Sequence, residues 1–333
     1  MDQNVGAIPP PPGVTPDFNS RPWLFTANRV SVAVGVTVCS MTLIMRLYTK
    51  ACIVRQLWWD DVLIFLAWVF VIATQATILY GYNHSGVGID FWNVGDSLLV
   101  AYRKTVLALS ILYIPALAFA KLAVIMLYYR LLKSFPMWRY TLWFIGSGIC
   151  AYSTALIFAL IFACKPIKDG WTLTTPNACR PRASLYLGTA IGNTASDVVL
   201  ILIPTTFIWT MHLPRIQKIG LFCMLGIGCL TVVTSIVRLI TLIPLNESYN
   251  RTHLVGLACL LIVIEANFLI LCGSLPYLRP FLRHHVPKLF DERQKGNCTS
   301  TDDTTPDMRR ISRRSSIFDI ESIGSTHSDA LDV

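Results

Sequence analysis

The chain is 333 residues long, with 54% hydrophobic and only 14% charged residues. A soluble protein carries about a quarter charged residues, so the composition excludes a pair of soluble domains and points to a polytopic membrane protein. The net charge of +9 falls largely in short loops and at the start of the tail, where orientation signals and anionic lipid contacts are expected, and gives no argument for nucleic-acid binding.

Residues 1–27 are polar and Pro-rich (IPPPPGVTP) and lack the pattern of a cleavable signal peptide, so the first membrane helix is expected to serve as the targeting signal. Seven apolar stretches follow, each about 20 residues or longer, as a hydrocarbon core of roughly 30 Å requires. They are Asn28–Tyr48, Asp61–Gly81, Thr105–Leu132, Tyr140–Phe162, Ala183–Met211, Ile219–Leu242 and Leu254–Gly273. The predicted fold is all-α, a seven-transmembrane-helix bundle over residues 28–280, followed by a basic and then disordered tail over 281–333. Pro115 and Pro204 are expected to kink the third and fifth helices, as neighbouring helices permit. Small residues at spacing four, Ala116/Ala120 and Gly188/Gly192, are expected to let backbones approach closely.

The third stretch, ILYIPALAFAKLAVIMLYYR over Ile111–Arg130, carries Lys121 in its interior. A lysine at membrane depth is expensive and calls for a partner or a task. Ile114, Lys121 and Tyr128 lie seven apart and so share one helical face, which is expected to look into the bundle. Away from the last three residues at either end of the predicted spans, the other charges are Asp197, Arg238 and Glu265. Helix lengths place Lys121, Asp197 and Glu265 near the midplane and Arg238 towards the outer third. The expectation is an ion pair between Lys121 and Asp197 or Glu265, with Asn193 one turn from Asp197, since an unpaired buried charge would neutralise. Thr231, Thr234, Ser235 and Arg238 form a polar stripe at helical spacing that should also face inward. These groups either lock helix packing or form a ligand, proton or ion site.

Orientation rests on loop charge and on glycosylation sequons. With the N-terminus outside, Lys50, Arg55, Arg130, Lys133, Arg139, Arg215 and Lys218 fall inside, while Arg103, Lys104, Lys165, Lys168, Arg180 and Arg182 fall outside, so the charge rule decides little. The sequons at Asn83, Asn246 and Asn250 all fall in outer loops on this arrangement, and Asn297-Cys-Thr falls in the tail. The N-terminus is therefore expected outside and the C-terminus in the cytoplasm.

Ten cysteines are scattered along the chain, without a CxxC pair, so neither a disulfide scaffold nor a metal site is expected. Cys164 and Cys179, in the loop after the fourth helix, are expected to form a disulfide, contributing roughly 3 kcal/mol on the loop-entropy argument. In the tail, Arg309-Arg310-Ile311-Ser312 and Arg313-Arg314-Ser315-Ser316 place basic pairs before serines, so Ser312, Ser315 and Ser316 are phosphorylation candidates. Trp59-Asp60-Asp61 opens the second helix, where carboxylates suit a helix N-terminus. Asp60 and Asp61, with Tyr129 and Arg130 at the inner end of the third helix, are candidates for coupling to a cytoplasmic partner. The bland alternatives are capping for the acids and a snorkelling Arg beside an aromatic belt for the others. There is no GxSxG, HExxH or P-loop, and no catalytic residue is assigned.

In this order and spacing the residues resemble the fungal rhodopsin-like integral membrane proteins, which include the satratoxin-cluster membrane protein family. The matching stretches, over Phe25–Pro287, are Trp59-Asp60-Asp61, Gly86-Val87-Gly88, Lys121-Leu122-Ala123, Tyr129-Arg130, Cys164-Lys165-Pro166, Trp171 and Cys179. Asn193, Asp197, Leu202-Ile203-Pro204, Gln217-Lys218-Ile219, Ser235-Ile236-Val237-Arg238, Glu265 and Leu275-Pro276-Tyr277-Leu278-Arg279-Pro280 complete the set. The resemblance implies a seven-helix, receptor-like membrane protein. Leu254–Gly273 contains no lysine for a retinal Schiff base, so no cofactor and no light-driven pump are expected. The expected partners are the lipid bilayer, an unknown small-molecule or surface ligand and a cytoplasmic signalling protein, in the plasma membrane or, as the alternative, an endomembrane. A scaffold or accessory protein of a secondary-metabolite pathway is the second reading and a transporter the third, though no inverted repeat is visible.

Overall fold

A backbone that crosses hydrocarbon has to satisfy its own hydrogen bonds, which a helix does within one segment. The computed structural model describes residue 22 and residues 24–56, 58–131, 136–164, 182–210, 215–246 and 251–285, and these fold into seven long helices. They are α1 (Phe25–Tyr48), α2 (Trp59–His84), α3 (Asp96–Leu131), α4 (Pro136–Ile161), α5 (Arg182–Thr210), α6 (Arg215–Leu242) and α7 (Arg251–His285). All 7 are long and apolar enough to cross a membrane. The Pro-rich N-terminus and most of the tail, with Ser312, Ser315 and Ser316, lie outside the described residues.

Each helix packs on the next, α7 closes the ring against α1, and α3 also touches α5 and α7. The most apolar window of α7 is 67% buried and that of α3 is 56% buried, whereas the other five reach at most 33%. α3 and α7 are therefore the inner helices, and the remaining five turn much of their apolar surface to lipid. Core clusters follow this order: Cys39, Ala67, Val71, Ala116, Ala120 and Ile270 pack α1, α2, α3 and α7 together.

The elements depart from the sequence reading in four places. α1 continues into a π-helical turn, Thr49–Val54, which carries Lys50 into the interior instead of leaving it in a loop. α3 begins at Asp96, nine residues before the expected Thr105. α7 runs on through Pro276 and Pro280 to His285 instead of ending at Gly273. Prolines remove helical donors, here those that would serve the carbonyls of Cys272 and Pro276, and membrane helices tolerate such losses within a packed bundle; next to the first of them the Arg46 guanidinium donates to the Gly273 carbonyl. Fourth, the small-residue pairs behave differently. Ala116 and Ala120 are fully buried, whereas a Cβ on Gly188 would meet nothing within 4 Å and one on Gly192 would meet only the Tyr152 ring at 3.5 Å.

Backbone approaches backbone at Gly256, where an added Cβ would lie 3.2 Å from the Gly88 Cα, and the tightest contact of a glycine with a side chain is at Gly35. A Cβ there would run into the side-chain amide of Asn267 on α7. That amide is already committed, since its oxygen accepts from Gln75 Nε2 at 3.0 Å and Cys39 Sγ at 3.2 Å. At the α2–α3 turn, Gly86 and Gly88 hold φ at +69° and +81°, the left-handed region that glycine occupies without strain, and tuck Val87 into the core. At the same end Asn28 donates to the Tyr82 hydroxyl at 2.7 Å, which donates to the Gly256 carbonyl at 2.9 Å, tying α1, α2 and α7. Replacing Gly35 with Val is expected to lower stability by about 1–3 kcal/mol, the usual cost of overpacking. Thermal unfolding of the detergent-purified variant measures it, and an unchanged midpoint would show that Asn267 can give way.

Candidate functional site

Near the middle of the bundle four helices contribute to one buried polar cluster. From α3, Lys121 Nζ meets Asp197 Oδ1 at 2.9 Å, and donates to Asn193 Oδ1 at 2.5 Å, to the Asn193 carbonyl at 3.1 Å and to Ser196 Oγ at 2.6 Å, all on α5. Glu265 of α7 pairs with Arg238 of α6 at 3.2 Å. It also accepts from Tyr113 at 2.8 Å, from Ser235 at 2.9 Å and from the Asn193 amide. Ser235 lies 2.6 Å from Asp197 Oδ2 as well, so its single proton faces two carboxylates and serves one at a time. Lys121, Asn193, Asp197, Arg238 and Glu265 are thus brought together, each at most 4% exposed.

The cluster is electrically balanced, with two cations against two carboxylates. In a medium of low dielectric such pairing offsets the desolvation of the ions only where further hydrogen bonds fill the remaining positions, and Asn193, Ser196, Ser235 and Tyr113 do that here. Arg238 reaches Glu265 although its Cα lies only four residues from the end of α6, because a long side chain covers the depth difference. Its guanidinium lies 5.0 Å over the Tyr113 ring, and its Nη2 has no hydrogen-bond partner among the described residues. Below Asp197 a cavity of about 20 Å³, bordered by Tyr128, Leu200, Pro204 and Thr231, has room for one water molecule.

A second balanced cluster, which the sequence reading did not assemble, sits at the end of the bundle where α1 finishes and α2 begins. Arg46 meets Asp60 Oδ2 at 2.5 Å and Asp61 Oδ1 at 3.1 Å, and Lys50 meets the same two acids at 2.6 and 2.8 Å. Tyr277 of α7 donates to Asp60 at 3.2 Å, and both cations lie over its ring, at 4.4 and 4.6 Å. Asp61 also accepts the Trp58 backbone N–H at 3.1 Å, so it caps α2 while it pairs. The signal was legible in outline: Arg46 and Lys50 are four apart, on one helical face, and two adjacent acids follow one short loop later. Read from the sequence, Lys50 falls in a loop and Arg46 at the end of a span, which leaves the acids without visible partners.

The four residues put forward for cytoplasmic coupling therefore divide. Asp60 and Asp61 are 6% and 5% exposed and engaged within the bundle, whereas Arg130 is at the surface, 5.5 Å over the Trp58 ring and bonded to Gln56 at 3.2 Å. Tyr129 accepts from Arg139 at 2.6 Å. Of the glycosylation candidates, Asn83 is exposed in the last turn of α2, its amide donating to the Leu79 carbonyl at 2.8 Å. The Asn246 side chain and Asn250 lie outside the described residues. Cys164 is disulfide-bonded, and Cys179 lies outside the described residues.

The model of the fungal rhodopsin domain matches residues 45–284, an interval that begins one residue before Arg46 and holds both clusters entire. The chain belongs to the fungal rhodopsin domain family. Among curated relatives, this fungal rhodopsin domain protein is 24% identical over 268 residues to fugralins biosynthesis cluster protein 2 of Gibberella zeae, covering 76% of this chain and 64% of the relative. It is 26% identical over 240 residues to a SAT4 family membrane protein of Emericella nidulans, covering 69% and 60%. It is also 26% identical over 233 residues to Receptor GIN3 of Arthrobotrys oligospora, covering 67% and 55%. The chain thus spans little more than half to about two thirds of the length of the curated relatives it matches. No solved structure matches it.

Removing one member of a buried pair leaves an uncompensated charge, at a cost of about 3–5 kcal/mol. Lys121→Met is therefore expected to destabilise this fungal rhodopsin domain protein by that amount, and Lys121→Met with Asp197→Leu to recover most of it. Thermal unfolding of the two single variants and the double variant forms the cycle, and additive losses would show that Lys121 and Asp197 are not coupled.

Proposed function

We propose that this chain is a receptor-like seven-helix membrane protein that senses a small molecule or surface ligand without retinal and without catalysing a reaction. Its N-terminus faces outside and its C-terminus the cytoplasm, in the plasma membrane. The observation that carries this reading is that one inner helix serves both buried clusters. Glu265 of α7 binds Arg238, Tyr113, Ser235 and Asn193, and Tyr277 of the same helix binds Asp60. The two positions are twelve residues apart, about 18 Å along the axis. A ligand that draws Glu265 or Lys121 away from its present partners changes the position of α7 that is favoured, and the Arg46–Lys50–Asp60–Asp61 cluster feels it at the other end. Coupling of this kind needs only that the ligand bind two arrangements with different affinity. Arg130 and Tyr129 stand beside that end at the surface, available to a cytoplasmic partner.

The relative named as a receptor supports this reading. A second reading, an accessory or scaffold protein of a secondary-metabolite pathway, is favoured by the relative named for the fugralins biosynthesis cluster. In a scaffold the buried clusters lock the helices and never exchange partners.

A thermal-shift screen of the purified protein against small molecules separates the two, because a compound that binds only the folded state raises its stability by RT ln(1 + [L]/Kd), about 2.7 kcal/mol at a hundred times Kd. A hit in wild type that is lost in folded Lys121→Met is the expected result. Silence across a broad panel, with biosynthetic enzymes copurifying, would favour the scaffold.

A further inference from the structure

α4 packs against α3 and α5, and on its side towards α2 it leaves a groove of about 850 Å³ between α3 and α4, closed off by Leu63 of α2. The α4 wall is made of small residues at helical spacing, Gly146, Cys150, Ala151, Thr154 and Ala155, so it is recessed, and Trp143 and Phe158 stand at its two ends. The α3 wall is Leu122, Ile125 and Met126. The recess faces outward: Cys150, Ala151, Thr154 and Ala155 are exposed, and Trp143 and Phe158 are 64% and 56% exposed. From Trp143 to Phe158 is about 22 Å of helix, longer than one leaflet of a hydrocarbon core about 30 Å thick, so a whole acyl chain fits along it.

The Trp143 end is where the groove meets charge. Tyr129 lines it, and Arg139 lies 5.1 Å over the Tyr129 ring and donates to its hydroxyl at 2.6 Å. Arg130, next in the chain, is exposed as Arg139 is. Among the described residues neither guanidinium is in an ion pair with a carboxylate, and Asp60, Asp61, Asp197 and Glu265 are buried against Arg46, Lys50, Lys121 or Arg238. Tyr129 holds the Arg139 fork in place, and a fixed guanidinium is matched in shape and charge by a phosphate diester. A basic site between helices next to an aromatic interface residue is the arrangement that recruits an anionic headgroup.

We propose that this groove is a binding site for one anionic phospholipid, with an acyl chain along the recessed face of α4 and the headgroup phosphate on Arg139, with Arg130 adding to the positive field. The site is separate from both buried clusters, and it rests on the chain spanning a membrane and not on the receptor reading. It makes the lipid an outer wall of the bundle over the α3–α4 contact.

Native mass spectrometry of the full-length protein in detergent tests this, with equal amounts of phosphatidylserine and phosphatidylcholine of the same chain length. Both lipids offer the phosphodiester to Arg139, but the choline cation cancels its charge whereas the serine headgroup stays net negative in the field of Arg139 and Arg130, so wild type is expected to retain the serine lipid about tenfold better. Arg139→Gln is expected to bring the two lipids level, Arg139→Lys to keep part of the preference, and Ala151→Phe, which fills the recess, to lower retention of both. Equal retention by wild type would overturn the proposal, whatever the variants do. So would a serine preference that survives both Arg139→Gln and Ala151→Phe, or stronger retention of ergosterol added to the same mixture.

Discussion

A carboxylate at membrane depth has no water to turn to, and leaving it without a partner costs several kcal/mol, so the buried acids decide where the helices of this protein stand. Asp197 and Glu265 each draw a cation from a neighbouring helix, and Ser235 and Asn193 touch both acids. Asp60 and Asp61 do the same for α1 and α7. Between these anchor points the helices meet through apolar side chains, which in hydrocarbon gain no hydrophobic driving force and hold by packing alone. The polar clusters therefore specify the register of α1, α3, α5, α6 and α7 against one another, and packing fills in around them.

Where the helices lie was readable because the bilayer imposes a length and a composition on any span, and the chain shows both without ambiguity. The ends were less readable. The seventh span is expected to end at Gly273, yet α7 continues through Pro276 and Pro280 to His285, because a helix packed on several neighbours tolerates lost donors that would end an isolated one. The π-helical turn after α1 has no local signature, since its reason is tertiary: it keeps Lys50 within reach of Asp60 and Asp61.

The midplane residues could be picked out singly as charges in apolar runs, and the periodicity placed Ile114, Lys121 and Tyr128 on one inward face, where all three are buried. The division of partners could not be read, because the choice between Asp197 and Glu265 for Lys121 depends on rotation of three helices. Tyr113 and Ser235 take part through hydroxyls that look ordinary in a sequence. The second cluster stayed hidden for a different reason: Arg46 and Lys50 near a helix end read as interface residues that reach for water, and only the fold shows them turned inward.

The zero net charge of each cluster bears on how the protein meets the electrical potential across its membrane. Carrying one elementary charge through 100 mV is worth about 2.3 kcal/mol, but a balanced group moved as a unit does no net electrical work. A translation of either cluster as a unit is thus blind to voltage. Sliding α3 against α5 would separate Lys121 from Asp197 along the field and would not be blind to it. The partition of cations and acids onto different helices means that these two clusters couple to the membrane potential through relative helix motion and not through translation as a unit.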